Sequence, residues 1–249
     1  MRLAVCFSGQ PRSINLKENL CKRLLDKNVI AANKQVDVFV HSWFHPSLAG
    51  QPFHPNKPYD MGRWTGTEDQ AILDLYKPVR YKFDHPDNIN DRLARFDRRR
   101  FNQHGHIGIQ GTFGMFASIY EADKLRQEHE KANGFRYDAV MRMRFDLAID
   151  CPIRANELDL ACINTPVNPG GRAGWRCCDM MAISSGKNMA MYASAYLHLD
   201  SLIYEYTCND NEVLLGMHLE KRNPGRICEI WKWQECIWFT GYDLQPKSL

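Results

Sequence analysis

The sequence predicts an α/β protein with a mixed, mainly parallel sheet flanked by helices. Two apolar runs of strand length, "RLAVCFSGQ" (2–10) and "QVDVFVHSWF" (35–44), read as strands buried on both faces that end in polar residues. The stretch between them carries Ile14, Leu16, Leu20, Leu24 and Leu25 at helical spacing, so the chain opens strand–helix–strand. A long helical stretch (114–133) then leads directly into another strand, "YDAVMRMRFDLAID" (137–150).

The first helix is expected over 13–29, with Ser13 as N-cap and Pro11 just outside. Residues 45–70 hold Pro46, Pro52, Pro55 and Pro58 and several glycines, which reads as a long loop or flap. A short helix (68–76), a third and more exposed strand (78–86) and a basic helix (91–101) follow. Gly134 stands where a left-handed cap would end the 114–133 helix. Further on, 158–166 offers a strand and 171–186 a loop followed by a short strand. Residues 187–206 and 209–223 read as helices, and 226–239 alternates enough for a terminal strand or hairpin.

With 249 residues, 44% of them hydrophobic, the chain suffices for one large domain or two small ones. A net charge of +3 gives no case for nucleic acid but leaves room for a local anion site. Nine cysteines without paired metal-ligand spacing point to reduced thiols in a cytosol-like compartment rather than a disulfide framework or a zinc site. No apolar run approaches the ~20 residues that span a bilayer, and the N-terminus does not read as a signal peptide. A cytoplasmic protein with at most peripheral membrane contact is expected.

The chemistry is expected where strands end. Open α/β sheets bind ligands at the carboxyl ends of their strands, and helix starts favour anions. Ser8, Gly9, Gln10 and Arg12 lie at the first such end, in a loop that matches neither G-x-G-x-x-G nor the P-loop pattern. His41 closes the second strand beside Ser42 and Trp43, where it is either a sheet-capping core histidine or part of a pocket floor. In 137–150, Arg142, Arg144 and Asp146 occupy every second position and would share one side of a strand. They form either a structural ion ladder or a grip for a diphosphate and its cation. Arg98, Arg99 and Arg100 read as a solvated helix face or a contact for anionic lipid. Trp64 and Trp175, in glycine-containing loops, are candidates for stacking on sugar rings, whereas Trp231, Trp233, Trp238 and Phe239 read as core of the last sheet.

The ordered segments "RLAVCFSGQPRS", "VDVFVHSW" and "FGMFASIYEADKLR" running into "YDAVMRMRFDL" resemble a group of glycosyltransferase-like proteins of capsule, lipopolysaccharide and viral glycan gene sets. The resemblance covers residues 1–45 and 108–150, and more faintly 175–222. It implies one GT-A-like domain over 1–249, with a nucleotide-sugar-binding half (1–150) and an acceptor-binding half (151–249). It also implies a nucleotide-sugar donor, a glycan acceptor, and Mn²⁺ or Mg²⁺ held by an Asp-x-Asp motif. Carried onto this chain, Ser8, Gly9 and Arg12 would meet the nucleotide, and Asp146 would be the last Asp of that motif. Arg144 stands where the first Asp is expected, so Arg142 and Arg144 could supply the positive charge partly in place of a cation. An inverting transfer needs a general base, for which Asp179 is the first candidate and Glu212 the second. Asp210 reads as the N-cap of the following helix. Another nucleotide-dependent transferase, or a binding protein with a degenerate site, is the alternative.

Overall fold

A computed structural model describes residues 1–12, 14, 20–53, 63–96, 108–167, 177–206, 210–222, 227–231 and 236–239. The first strand, β1 (Arg2–Gly9), is buried from Leu3 to Ser8, as an uninterrupted apolar run requires. Leu3, Val5 and Phe7 face one layer, made by Leu25 of α1 (Leu20–Leu25), by Val29, and by Ile72 and Tyr76 of α2 (Glu68–Tyr76). Ala4 and Cys6 face the other, built on Phe113, Phe116 and Ala117 of α4 (Ile109–Asn133). Burying each of these phenylalanines contributes about 1.5–3 kcal/mol.

Around β1 the sheet contains β2 (Gln35–Trp43), β3 (Arg80–Asp84), β4 (Ala139–Met143), β6 (Ile163–Pro166), β7 (Met181–Ser184) and β8 (Ile227–Trp231). The order is β3-β2-β1-β4-β7-β6-β8. The pairs β3–β2, β2–β1, β1–β4 and β6–β8 are parallel, while β7 runs antiparallel to both β4 and β6. The α/β class with a mixed, mainly parallel sheet between helices is therefore the observed architecture. A separate two-stranded ribbon joins β5 (Leu147–Ile149) to β9 (Ile237–Phe239).

The strand order places a switch point at β1. The chain leaves β1 towards β2 and β3 on one side and returns to β4 on the other, and the carboxyl ends at such a point are where open α/β sheets bind ligands. A buried ion cluster fixes where β4 begins. Arg126 pairs with Asp123 and Glu130, each at 2.8 Å, and Glu130 also accepts from the Tyr137 amide at 2.8 Å. Gly134 (φ +68°) caps α4 in the left-handed form that the sequence predicts.

Several expected boundaries move. The strand expected over 137–150 breaks after Met143, because Phe145 turns inward to stack on Phe7 (5.1 Å) and the chain resumes as β5 in the other sheet. Helix α4 starts at Ile109, since buried Thr112 and Phe113 extend its apolar face past glycines that read as breakers. The helix expected over 187–206 divides into α5 (Gly186–Ala193) and α6 (Ala195–Tyr206) at Ser194, whose hydroxyl donates to the Met191 carbonyl at 2.8 Å. The strand expected over 158–166 begins only at Ile163, because Asp159 takes the Ala161 amide in a turn. β8 and β9 join different sheets rather than pairing as a hairpin. The expected helix over 91–101 is seen as α3 (Asn90–Arg95), and the first helix as α1 followed by a π turn (Asp26–Ile30). Ser13, Arg98, Arg99, Arg100 and Trp175 lie outside the described residues, as do the side chains of Trp231, Trp233, Trp238 and Phe239. The described cysteines are free thiols. Among the described residues, no helix is long and apolar enough to cross a membrane.

Candidate functional site

Gly9 ends β1 at φ +114°, a backbone region that a Cβ disfavours. Its peptide is tied on both sides. The amide donates to Ser118 Oγ of α4 at 2.7 Å, and the carbonyl accepts from Ser42 Oγ, its register partner on β2, at 2.9 Å. Beyond Gly9 the chain turns tightly, with the Arg12 amide donating to the Gln10 carbonyl at 2.9 Å. Gln10 Oε1 accepts from Arg12 Nε and Nη2 at 3.2 and 3.1 Å, and Gln10 Nε2 donates to the Phe53 carbonyl at 3.3 Å. The flap expected over 45–70 thus rests on the β1 loop through Phe53.

The second strand end lies beneath that loop. His41 is fully buried, so it reaches the loop through Ser118 and not by direct contact with anything at the strand ends. Its Nδ1 meets Ser118 Oγ at 2.7 Å and its Nε2 meets Asp84 Oδ2 at 3.0 Å, while Lys82 Nζ bridges Asp84 (2.8 Å) and Glu121 (3.0 Å). Burial pushes the His41 imidazole below its usual range against the pull of Asp84, which makes it neutral near pH 7. The hydrogen bond from His41 holds Asp84 down at about 2, against burial and with help from Lys82.

At the end of β4 the three charged residues do not share one exposed side. Arg142 is buried within the strand, where Nε donates to Ser8 Oγ at 2.9 Å and Nη1 donates to the Asp179 carbonyl. Burial pushes its guanidinium below the usual range. Ser8 is buried with it, so the emergence of Arg142 expected from alternation is corrected. Arg144 lies past the end of the strand and folds back on Asp146, with Nε to Oδ1 at 2.9 Å and Nη2 to Oδ2 at 2.5 Å. Arg12 adds Nη1 to Oδ2 at 3.5 Å from the first loop. Burial raises the Asp146 carboxyl, but Arg144 and Arg12 outweigh it and leave the group below its ordinary range. Residues from two strand ends, 132 positions apart for Arg12 and Arg144, meet at one carboxylate.

Asp179 precedes β7, whose start lies beside the end of β4 because Met181 pairs with Met143. The structure thus brings Asp179 to the same edge as Arg142, with its carboxylate mostly buried. Glu212, in the first turn of α7 (Asn211–Arg222), borders this group: after burial and Cys178, the charges of Asp179 and Glu212 push the Cys177 thiol further up. Asp210 caps α7 as expected, accepting from the Glu212 and Val213 amides at 3.0 and 3.2 Å. Trp64 does not offer a stacking face. It is buried against Phe53 (4.5 Å) and Phe44 in a small core of the flap.

No known protein family matches the chain, and no curated protein matches it in sequence. Among solved structures it is similar to an active-site mutant of LgtC, at 11% identity over 92% of this chain and 72% of that one, with a TM-score of 0.46. It is also similar to galactosyltransferase LgtC in complex with donor and acceptor sugar analogs, at 12% identity, the same coverage and a TM-score of 0.44. Likeness at that level carries no functional weight, and the α/β class stands on the strand order itself.

The expected Mn²⁺ or Mg²⁺ site does not fit the donors at the β4 end. A hard divalent cation needs carboxylate oxygens facing it, and both oxygens of Asp146 already accept from guanidinium groups. Among the described residues, no cluster of three or more His, Cys, Asp or Glu is arranged to hold a metal. Ser118 and Asp84 are site residues that the sequence reading missed. Asp84 carried a signal, since it is a polar residue at the end of a strand, β3. Ser118 carried none, because one serine inside an amphipathic helix reads as filler.

Proposed function

We propose that the chain is a glycosyltransferase that moves a sugar from a nucleoside-diphosphate sugar to a hydroxyl of a glycan acceptor. The observation that carries this reading is the convergence of Arg12 and Arg144 on Asp146 at the switch point, beside the Gly9–Arg12 loop. Arg142 lies buried at the same strand end, where Asp179 also acts on its charge. Five donors per guanidinium let the same group hold a carboxylate and a phosphate together, and the planar fork matches both.

In the reaction, the acceptor oxygen bonds to the anomeric carbon as the bond from that carbon to the diphosphate breaks. Arg12 and Arg144 receive the negative charge that develops on the leaving group, and Asp146 sets their orientation. Asp179 takes the hydroxyl proton, with Glu212 as the alternative base on the acceptor side. Because Asp146 does not fit a cation, the arginines carry the electrostatic role by themselves.

A thermal-shift panel of UDP, GDP and their sugar conjugates, with and without Mn²⁺, tests the reading. A ligand at ~100 times its dissociation constant adds about 2.7 kcal/mol to stability. Stabilisation by a nucleoside diphosphate, followed by release of sugar from the matching donor, is expected. No shift with any member would overturn it. A second reading, nucleotide binding without turnover, is favoured by the full engagement of Asp146, and it predicts the shift without release of sugar.

A further inference from the structure

The hydrogen bonds beneath the loop can be followed atom by atom. Neutral His41 with its hydrogen on Nε2 donates to Asp84 Oδ2 and accepts the Ser118 hydroxyl at Nδ1. Ser118 Oγ then accepts the Gly9 amide. Adding a proton turns Nδ1 into a donor. The Ser118 hydroxyl must then rotate to its other acceptor, the His41 carbonyl at 3.2 Å, and Oγ has to accept from Nδ1 and from Gly9 at once. One proton on a buried ring therefore sets a second, charged donor beside the Gly9 amide on the same oxygen, and Gly9 is the start of the turn that carries Gln10 and Arg12.

We propose that Ser118 and His41 are positioning residues for the diphosphate loop, with the Ser118 hydroxyl, oriented by His41, aiming Gln10 and Arg12 at the ligand. This rests on the function proposed above for the identity of the ligand. Protonation of His41 loosens that aim, so diphosphate affinity falls in acid together with the charge state of the ring. The charged and titratable groups that face the ring are Asp84 and Lys82 from β3 and Glu121 from α4, and the Trp43 ring packs edge-on at 5.1 Å. Asp84 and Glu121 favour the charged imidazole, whereas burial and Lys82 oppose it. Ser118 is wholly buried and has no route to the ligand, so its effect must pass through Gly9.

The test is calorimetric titration of the full chain with UDP, GDP and pyrophosphate from about pH 8 down through the His41 midpoint, which NMR of its ring protons locates. Dividing variant by wild-type affinity at each pH cancels the titration of the ligand itself. Ser118→Ala should bind about ten-fold more weakly at the alkaline end, the effect of one lost hydrogen bond, and the deficit should shrink towards acid. His41→Asn keeps an acceptor facing Ser118 and cannot titrate in this range. It should lose less affinity than Ser118→Ala and lack the acid decline that wild type shows at the His41 midpoint. A purely structural role would lower melting temperature without moving that pH profile.

If wild type binds and Ser118→Ala matches it at every pH, the positioning role is overturned while the proposed function stands. An acid decline in wild type that does not coincide with the His41 titration overturns it equally, and needs no variant that folds. If wild type binds none of the three probes, the proposed function fails and this inference fails with it.

Discussion

Asp146→Asn removes the charge on which two strand ends converge while keeping the shape of the side chain. The wild-type side chain is 7% exposed and meets Arg144 at 2.9 and 2.5 Å and Arg12 at 3.5 Å. Removing one partner of a fully buried pair costs about 3–5 kcal/mol. Arg144 and Arg12 keep 24% and 20% of their side-chain surface, so water compensates part of that loss and about 1–3 kcal/mol remains. For a chain of this size, about 2 kcal/mol lowers the melting temperature by roughly 4–8 °C. The pH dependence follows from the sign of the shift. The folded carboxyl titrates below its unfolded value of about 3.9, so its contribution is complete above that pH and is lost as pH falls through the lower folded value. Melting curves of the two proteins should differ fully near neutrality and converge in strong acid. Equal melting temperatures at neutral pH, or a gap that persists undiminished in acid, would refute the electrostatic reasoning.

Gly9→Ala forces a Cβ into φ +114°; it should cost about 1–3 kcal/mol in denaturant titration and weaken diphosphate binding, although nothing crowds the added atom. Trp64→Ala removes the centre of the flap's small core and should destabilise by about 3–5 kcal/mol if the flap melts with the rest, measured as one cooperative transition. His218 is buried and held at about 4, mainly by burial, although it bonds to the Met191 carbonyl at 3.0 Å. The unfolded chain binds that proton first, so wild type should lose up to about 3 kcal/mol as pH falls from about 6.5 to about 4. His218→Leu should flatten that limb in urea titrations at successive pH values.

The two-faced burial of β1 and β2 was legible because an apolar run of strand length has few other uses, and Gly134 was legible because a cap needs a left-handed residue. The break after Met143 was not. Strand alternation gave every second residue from Arg142 to Asp146 the same direction, but the strand ends at Met143 and Phe145 stacks on Phe7. Burial of Arg142 depends on acceptors supplied by Ser8 and by Asp179, 134 and 37 residues away, and no local pattern shows them. Arg12 and Asp146 were each picked from strand ends, but only the β1–β4 pairing makes them neighbours. The small flap core around Trp64 was missed because a tryptophan among glycines and prolines reads as exposed.

The most direct measurement is calorimetric titration of UDP and GDP in the presence of EDTA, on wild type and on an Arg12→Gln, Arg144→Gln double variant. Metal-free saturable binding to wild type, weakened at least about a hundred-fold in the variant, is the predicted result for two charged hydrogen-bond partners. Binding that requires added Mn²⁺, or that the double variant retains, would contradict a diphosphate site built from the two arginines.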